Sequence, residues 1–285
     1  MIPTKPMWLV TNSRSGSNNA RAIDAVRQCC EEWGHPVVRE IAFPDEQLPD
    51  AAQLDAAGIG RLAIFTGDGT LNAAIARLQG WGGEIVVLPG GTMNLLSVRL
   101  HGRDTEAGTI LQRIAAGAAR AVRPLMVNCA EGSALAGLLA GPGTAWASVR
   151  EAMRDFDVPG IAEGASEAIA ETARGPMVRC ADPALGRDSG YPLIEFTPSH
   201  RGIQLDAFHA EGAGELLQQS WALLRRNFRQ GPHTRLALVD EVTLESCDGS
   251  PLSILVDGEP KTLPSRAKFA VAPCEVDLLA THHGY

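Results

Sequence analysis

No two of the six cysteines (Cys29, Cys30, Cys129, Cys180, Cys247 and Cys274) have C-x-x-C spacing, and none lies near a matching pair of histidines. Zinc fingers and ribbons are excluded on that ground, and reduced thiols in a cytosolic chain are the simplest account. The chain also lacks an uninterrupted run of about 18 apolar residues. The nearest candidate, residues 134–149, is broken by Gly137, Gly141, Pro142 and Gly143. Lys5 is followed only by the short apolar run 7–10, which does not make a signal peptide. The expectation is a cytoplasmic protein whose membrane contact, if it has one, is peripheral. Excess positive charge is missing as well: the net charge is −8 and the pI is near 5.4. Bulk nucleic-acid binding needs clustered Lys and Arg to neutralise phosphates, so no nucleic-acid partner is expected. Neither G-x-x-x-x-G-K-[ST] nor G-x-G-x-x-G occurs anywhere.

What is present is an ordinary globular composition, with 45% hydrophobic and 20% charged residues over 285 positions. That length fits two domains of roughly 100–170 residues each. Thirty glycines and 18 prolines imply many tight turns or close approaches of backbone to ligand. Arg225, Arg226 and Arg229 form one local basic cluster near a helix end. A solvated helix end that complements the dipole is the better account of them, and contact with anionic lipid head groups the other.

Up to about residue 122, short apolar runs alternate with helical patterns. Strands are expected at 7–11, 37–43, 61–66 and 84–88. Helices are expected at 20–33, 51–57, 71–79, 93–100 and 105–116, the last capped by Thr105. This rhythm predicts an open α/β sheet with helices on both faces, whose ligands bind beyond the carboxyl ends of the strands. After residue 122 the apolar runs shorten and alternate: 193–197, 203–209, 235–245, 252–256 and 268–272. A mostly antiparallel β domain follows from that pattern. A helical stretch at 151–174, broken near Pro159-Gly160, precedes these runs, and one helix, 213–229, interrupts them.

Four segments carry chemistry. Gly67-Asp68-Gly69-Thr70-Leu71-Asn72 ends the third strand. Its glycines permit unusual φ values and close approach of backbone N–H groups to an oxyanion, and Asp68 could hold Mg²⁺. Leu88-Pro89-Gly90-Gly91-Thr92-Met93-Asn94 repeats the arrangement one strand later. Asn12-Ser13-Arg14-Ser15-Gly16-Ser17 follows the first strand and suits a phosphate-facing loop. Val256-Asp257-Gly258-Glu259-Pro260 reads by itself as a hairpin turn with two exposed acids. For the two glycine-rich turns, plain helix caps are an equally good local account.

Taken in order, these four segments resemble the diacylglycerol kinase catalytic-domain family, which includes sphingosine kinases and bacterial lipid kinases. The family's Asn-Pro-x-Ser-Gly loop corresponds to Asn12-Ser13-Arg14-Ser15-Gly16. Its Gly-Gly-Asp-Gly-Thr corresponds to Thr66-Gly67-Asp68-Gly69-Thr70. Its Pro-x-Gly-Thr-x-Asn corresponds to Pro89-Gly90-Gly91-Thr92-Met93-Asn94, and its late Asp-Gly-Glu to Asp257-Gly258-Glu259.

The resemblance implies a nucleotide-binding α/β domain over 1–122, to which residues 276–285 return, and a β-sandwich domain over 123–275. It implies ATP and Mg²⁺ as cofactors and a lipid hydroxyl at a membrane surface as acceptor. Asp68 and Glu259 would be the catalytic carboxylates, with Mg²⁺ at Asp68 and Glu259 either the general base on the lipid hydroxyl or an acid holding the catalytic water and metal. Asn12, Ser15, Gly16, Gly67, Gly69, Thr70, Gly91, Thr92 and Asn94 would line the nucleotide. Residues 130–192 would shape the lipid pocket.

The chain departs from the pattern at Leu95, where an acid often stands, and at Arg201, where bacterial members have a ligand acid of a structural Mg²⁺ site. Two other readings stay open: a kinase of a non-lipid alcohol such as NAD, and a nucleotide- or lipid-binding protein without turnover. The sequence does not speak to oligomeric state.

Overall fold

A computed structural model describes residues 6–15, 18–91, 94–145, 175–208 and 233–282. The expected helices at 151–174 and 213–229, with the arginine cluster, lie outside the described residues. In chain order the first elements are β1 (Met7–Asn12), α1 (Ala20–Glu32), β2 (Val37–Phe43), α2 (Ala51–Ala56) and β3 (Arg61–Thr66). They continue with α3 (Asp68–Arg77), β4 (Glu84–Pro89), α4 (Leu95–His101), α5 (Ala107–Ala115) and β5 (Arg120–Val122). Short strands follow: β6 (Leu125–Cys129), β7 (Gly132–Ala134), β8 (Leu138–Ala140), β9 (Val178–Asp182) and β10 (Ala184–Leu185). Then come β11 (Leu193–Ser199), β12 (Gly202–Phe208), β13 (His233–Val239), β14 (Glu241–Ser246) and β15 (Leu252–Val256). The last are β16 (Glu259–Leu263), β17 (Arg266–Pro273) and β18 (Asp277–Ala280).

The chain divides into two compact units, Met1–Pro124 with Pro273–Tyr285, and Leu125–Ala272. The first contains one six-stranded sheet in the order β2-β1-β3-β4-β18-β5. Its pairs are parallel except β18 with β5. Every residue of β1 and β3 is buried, as strands covered on both faces require. On one face Met7, Leu9, Phe65, Val86 and Leu88 pack with Val26 and Cys30 of α1 and with Ile110, Leu111 and Ile114 of α5.

Local signals place several boundaries. Asn19 caps α1 by accepting a hydrogen bond from the Ala22 amide at 2.9 Å. Asp50 and Gln53 form a reciprocal capping box on α2, worth about 1 kcal/mol. Thr105 does not cap α5, as the sequence suggested. Its hydroxyl turns back to the carbonyls of His101 and Gly102, and Glu106 occupies the N-cap position. The hydroxyl thus serves the end of α4 rather than the start of α5.

The second unit holds two six-stranded sheets, β10-β9-β14-β17-β6-β7 and β13-β12-β11-β8-β15-β16. One apolar cluster joins them, with Val127, Val178, Leu244 and Phe269 from the first sheet and Ile194, Phe196, Leu205 and Ile254 from the second. The rings of Phe196 and Phe269 meet across it with centroids 4.7 Å apart. The run 235–245, expected as one strand, is two. Asp240 separates β13 from β14, and the two lie in different sheets. Strands β6 to β10 were not legible, because runs of two to five residues, several of them small, carry almost no periodicity.

Candidate functional site

Three loops leave the carboxyl ends of β1, β3 and β4, and described side chains stitch them together. In the first loop the Asn12 carbonyl accepts from the Ser15 amide at 2.9 Å, and Asn12 Oδ1 accepts from the Arg14 amide at 2.9 Å. Asn12 Nδ2 donates across to Thr70 Oγ1 at 2.8 Å. Ser15 Oγ accepts from the Gly67 amide at 3.2 Å. Buried Asn18 donates from Nδ2 to the Phe65 carbonyl, which holds the far side of the loop on β3. Arg14 is exposed. Gly16 and Thr92 lie outside the described residues.

The second loop is tighter than the sequence suggested. The helix expected to begin at Leu71 begins at Asp68. Gly67 is the extended N-cap (φ −78°, ψ 167°), and its carbonyl accepts from the Leu71 amide at 3.1 Å, which closes the first turn. An acid in the first turn suits the positive end of the helix dipole. Neither Gly67, Gly69, Gly90 nor Gly91 has positive φ, so unusual backbone angles are not why glycine stands there. Close approach is. A Cβ on Gly91 would lie 2.5 Å from Gly67 Cα, and one on Gly90 would lie 2.6 Å from the Phe65 carbonyl carbon. The two turns therefore cross backbone on backbone.

In the third loop Asn94 adopts the left-handed conformation (φ 51°). Its Oδ1 accepts from the Gly91 amide at 2.7 Å and its Nδ2 donates to the Gly91 carbonyl at 2.9 Å. That turn delays α4, expected from Met93, to Leu95. The Asp68 carboxylate meets the start of α4: Oδ2 accepts from the Leu95 amide at 3.1 Å and Oδ1 from the Leu96 amide at 3.3 Å. Both carboxylate oxygens thus hold the neighbouring helix in place, a contact no sequence signal announced.

His101 anchors the other end of α4. It is 1% exposed, and burial lowers its pKa to about 4, so the ring is neutral. A carbonyl can only accept, so Nε2 donates to Val87 O at 3.0 Å, leaving Nδ1 to accept from Thr281 Oγ1 at 3.0 Å.

In the second unit Asp257 (φ 48°) and Gly258 (φ 94°) form the two-residue turn of the β15–β16 hairpin, with Val256 opposite Glu259. The expectation of two exposed acids holds for one of them. Glu259 is exposed. The Asp257 carboxylate accepts three amides: Leu135 at 2.9 Å on Oδ2, and Ala136 at 2.8 Å and Gly137 at 2.9 Å on Oδ1. Around the β11–β12 turn Arg201 is exposed beside His200. Buried Asp206 accepts from Gln204 Nε2 and faces Arg235 Nε at 3.3 Å. Among the described residues no group of three or more His, Cys, Asp or Glu side chains could hold a metal ion. Also among them, no helix is long and apolar enough to cross a membrane.

Residues 6–127 match the model of the family described as the diacylglycerol kinase catalytic domain. No curated protein matches the chain significantly. Among solved structures, a diacylglycerol kinase from Bacillus anthracis str. Sterne superposes with a TM-score of 0.61 at 12% identity, covering 99% of this chain and 98% of that one. A second from the same organism, described as a putative diacylglycerol kinase, gives 0.63 at 13% identity over 99% and 97% of the two chains. A third, described in the same terms, gives 0.59 at 14% identity over 96% of each. At such identities the superpositions speak for the fold, a mixed α/β architecture with antiparallel sheets in its later part. Residues 6–127, which hold the first three motifs, therefore match the diacylglycerol kinase catalytic-domain family by sequence, Asp257-Gly258-Glu259 lies outside that match, and the chain shares the fold of the three structures along nearly its whole length.

Proposed function

We propose that the protein is an ATP-dependent lipid kinase that moves the γ-phosphate of ATP to a hydroxyl of a diacylglycerol-like lipid at a membrane surface. The observation that carries this reading is the crossing of the two glycine turns, with Gly91 against Gly67 and Ser15 Oγ on the Gly67 amide. Backbone brought that close at the mouth of a parallel sheet, beside the amides of the first turn of α3, suits phosphate groups. In this reading residues 1–122 with 276–285 serve the nucleotide, and residues 123–275 serve the acceptor.

Phosphoryl transfer needs chiefly positioning and charge neutralisation. Asn12, Ser15, Gly16, Gly67, Gly69, Thr70, Gly91, Thr92 and Asn94 line the nucleotide. Glu259 takes the proton of the acceptor hydroxyl as its oxygen bonds to the γ-phosphorus and the bond to ADP breaks. With no cluster of three candidate ligands among the described residues, a site built by the protein alone does not suit Mg²⁺. One carboxylate plus substrate phosphates does, and Asp68 is that carboxylate. Bound there, Mg²⁺ would neutralise phosphate charge.

The test is incubation with γ-labelled ATP, Mg²⁺ and a lipid extract, beside Asp68→Asn and Glu259→Gln. Label in a lipid, lost in both variants, is expected. A specific observation favours one other reading, a nucleotide-binding protein without turnover: both oxygens of Asp68 already hold amides of α4. ATP bound with no label in any lipid would favour it.

A further inference from the structure

The Asp257 carboxylate does more than close a hairpin. Two-residue turns with positive φ at both positions need only Asp-Gly backbone propensities. Here the side chain also reaches out of its own turn to three consecutive amides, those of Leu135, Ala136 and Gly137, at 2.8–2.9 Å. The Asp257 amide adds a fourth bond, donating to the Gly137 carbonyl at 3.0 Å.

Residues 135–137 are the connection between β7, in one sheet of the second unit, and β8, in the other. Strand β8 pairs in turn with β15, with Leu138 opposite Val256. The turn before Glu259 is thus tied to the crossover between the two sheets by four hydrogen bonds, three of them charge-assisted. Glu259 lies two residues beyond, across Gly258 and opposite Val256, with its side chain exposed.

From this geometry we infer that Asp257 is a positioning residue for phosphoryl transfer: it fixes the hairpin tip against residues 135–137 so that Glu259 presents its carboxylate in one place. The inference rests on the reading of Glu259 as the proton acceptor. Removing the clamp leaves the fold of the sheet in place and lets the tip shift, and a displacement of about 1 Å at a reacting group costs up to about 100-fold in rate.

The experiment is a double-mutant cycle on the full chain, with labelled transfer from ATP to lipid as the readout. Asp257→Ala is expected to lower kcat by about 10- to 100-fold while the KM for ATP stays unchanged. In the Glu259→Gln background the same change is expected to alter the residual rate by less than about 2-fold, because Asp257 acts through Glu259. Asp257→Asn keeps Oδ1, which serves two of the three amides, and is expected to recover part of the loss. Hydrogen exchange adds a readout independent of catalysis: the amides of 135–137 exchange about 10-fold faster or more in Asp257→Ala, with β11 unchanged.

Equal losses in both backgrounds would make Asp257 a general structural residue and overturn the inference. So would full activity of Asp257→Ala, or unchanged exchange at 135–137. Full activity of Glu259→Gln would instead remove the proton-acceptor role itself, and the positioning role with it. An inactive Glu259→Gln beside a fully active Asp257→Ala would remove the positioning role alone.

Discussion

In the first unit the candidate site residues sit on three loops, of which the second and third touch backbone on backbone, at Gly67 against Gly91 and Gly90 against Phe65. In the second unit the acidic pair Asp257–Glu259 rides on a hairpin of a six-stranded sheet and is tied down by a carboxylate. The crossing of the second and third loops depends on side chains that are absent, and the clamp on the hairpin on one that is present. Where glycine makes a contact possible, any larger residue must push backbone aside. Where a carboxylate makes it, a partial replacement keeps part of the bonding. The two units should therefore fail in different ways when altered.

The largest separation is expected from Phe269, fully buried against Phe196 in the sandwich core. Phe269→Ala should cost the second unit about 3–5 kcal/mol, from lost burial and the cavity left behind. Urea unfolding followed by hydrogen exchange would locate the loss. If β1 and β3 lost protection to the same degree as β11 and β17, the two compact units would unfold as one.

Next in size is a pH effect confined to the first unit. Burial lowers the pKa of His101 to about 4, below its ordinary value of 6.5. The unfolded chain therefore binds a proton between these values that the folded chain refuses. Stability is fully present above pH 6.5 and falls as the pH drops toward 4. The shift corresponds to a loss of about 3 kcal/mol. Urea midpoints for the wild type and His101→Gln between pH 7 and pH 4 should diverge by that slope. Parallel pH dependence of the two would show that the ring does not carry it.

A smaller effect separates two glycines of the first unit. Gly91→Ala places a methyl group 2.5 Å from Gly67 Cα and should cost about 1–3 kcal/mol and most of the affinity for ATP. Gly82→Ala meets nothing within 4 Å and should leave both unchanged. Calorimetric titration with ATP is the measurement, and equal affinity in the two variants would dissociate the glycine crossing from nucleotide binding. The smallest expected effect is that of Asp50→Ala. It removes the capping box of α2, which holds none of the candidate site residues, at about 1 kcal/mol with ATP affinity unchanged.

The same contrast explains what could be read in advance. Strands β1, β3 and β4 show as nearly continuous apolar runs because both faces of the sheet are covered there, whereas β2, at the sheet edge, buries only Ile41, and the turns after β3 and β4 show because closely spaced glycines are conspicuous. What those glycines do was half legible. The residue type suggested close approach to an oxyanion, whereas the approach found is of backbone to backbone, and the helical start at Asp68 was hidden because Gly-Asp-Gly-Thr resembles a turn until Leu71 bonds back to Gly67.

Long-range partners were invisible. Nothing near Asp68 in sequence names Leu95 and Leu96, and nothing near Asp257 names residues 135–137, more than 100 positions away. Strands β6 to β10 were lost for the same reason, since runs of two to five residues, several of them small, are strands only by virtue of their neighbours. Asn18 was passed over inside a polar loop, although it is 2% exposed and bonded to β3.

Strand β18 gives these facts a consequence in time. It lies between β4 and β5 in the sheet of the first unit, yet the whole second unit intervenes in the chain between β5 and β18. During synthesis the second unit has emerged in full while the first still has a vacant lane in its sheet. Until residues 277–280 leave the ribosome, β4 and β5 have no common partner, and His101 waits for Thr281. The unit begun first is thus the one finished last.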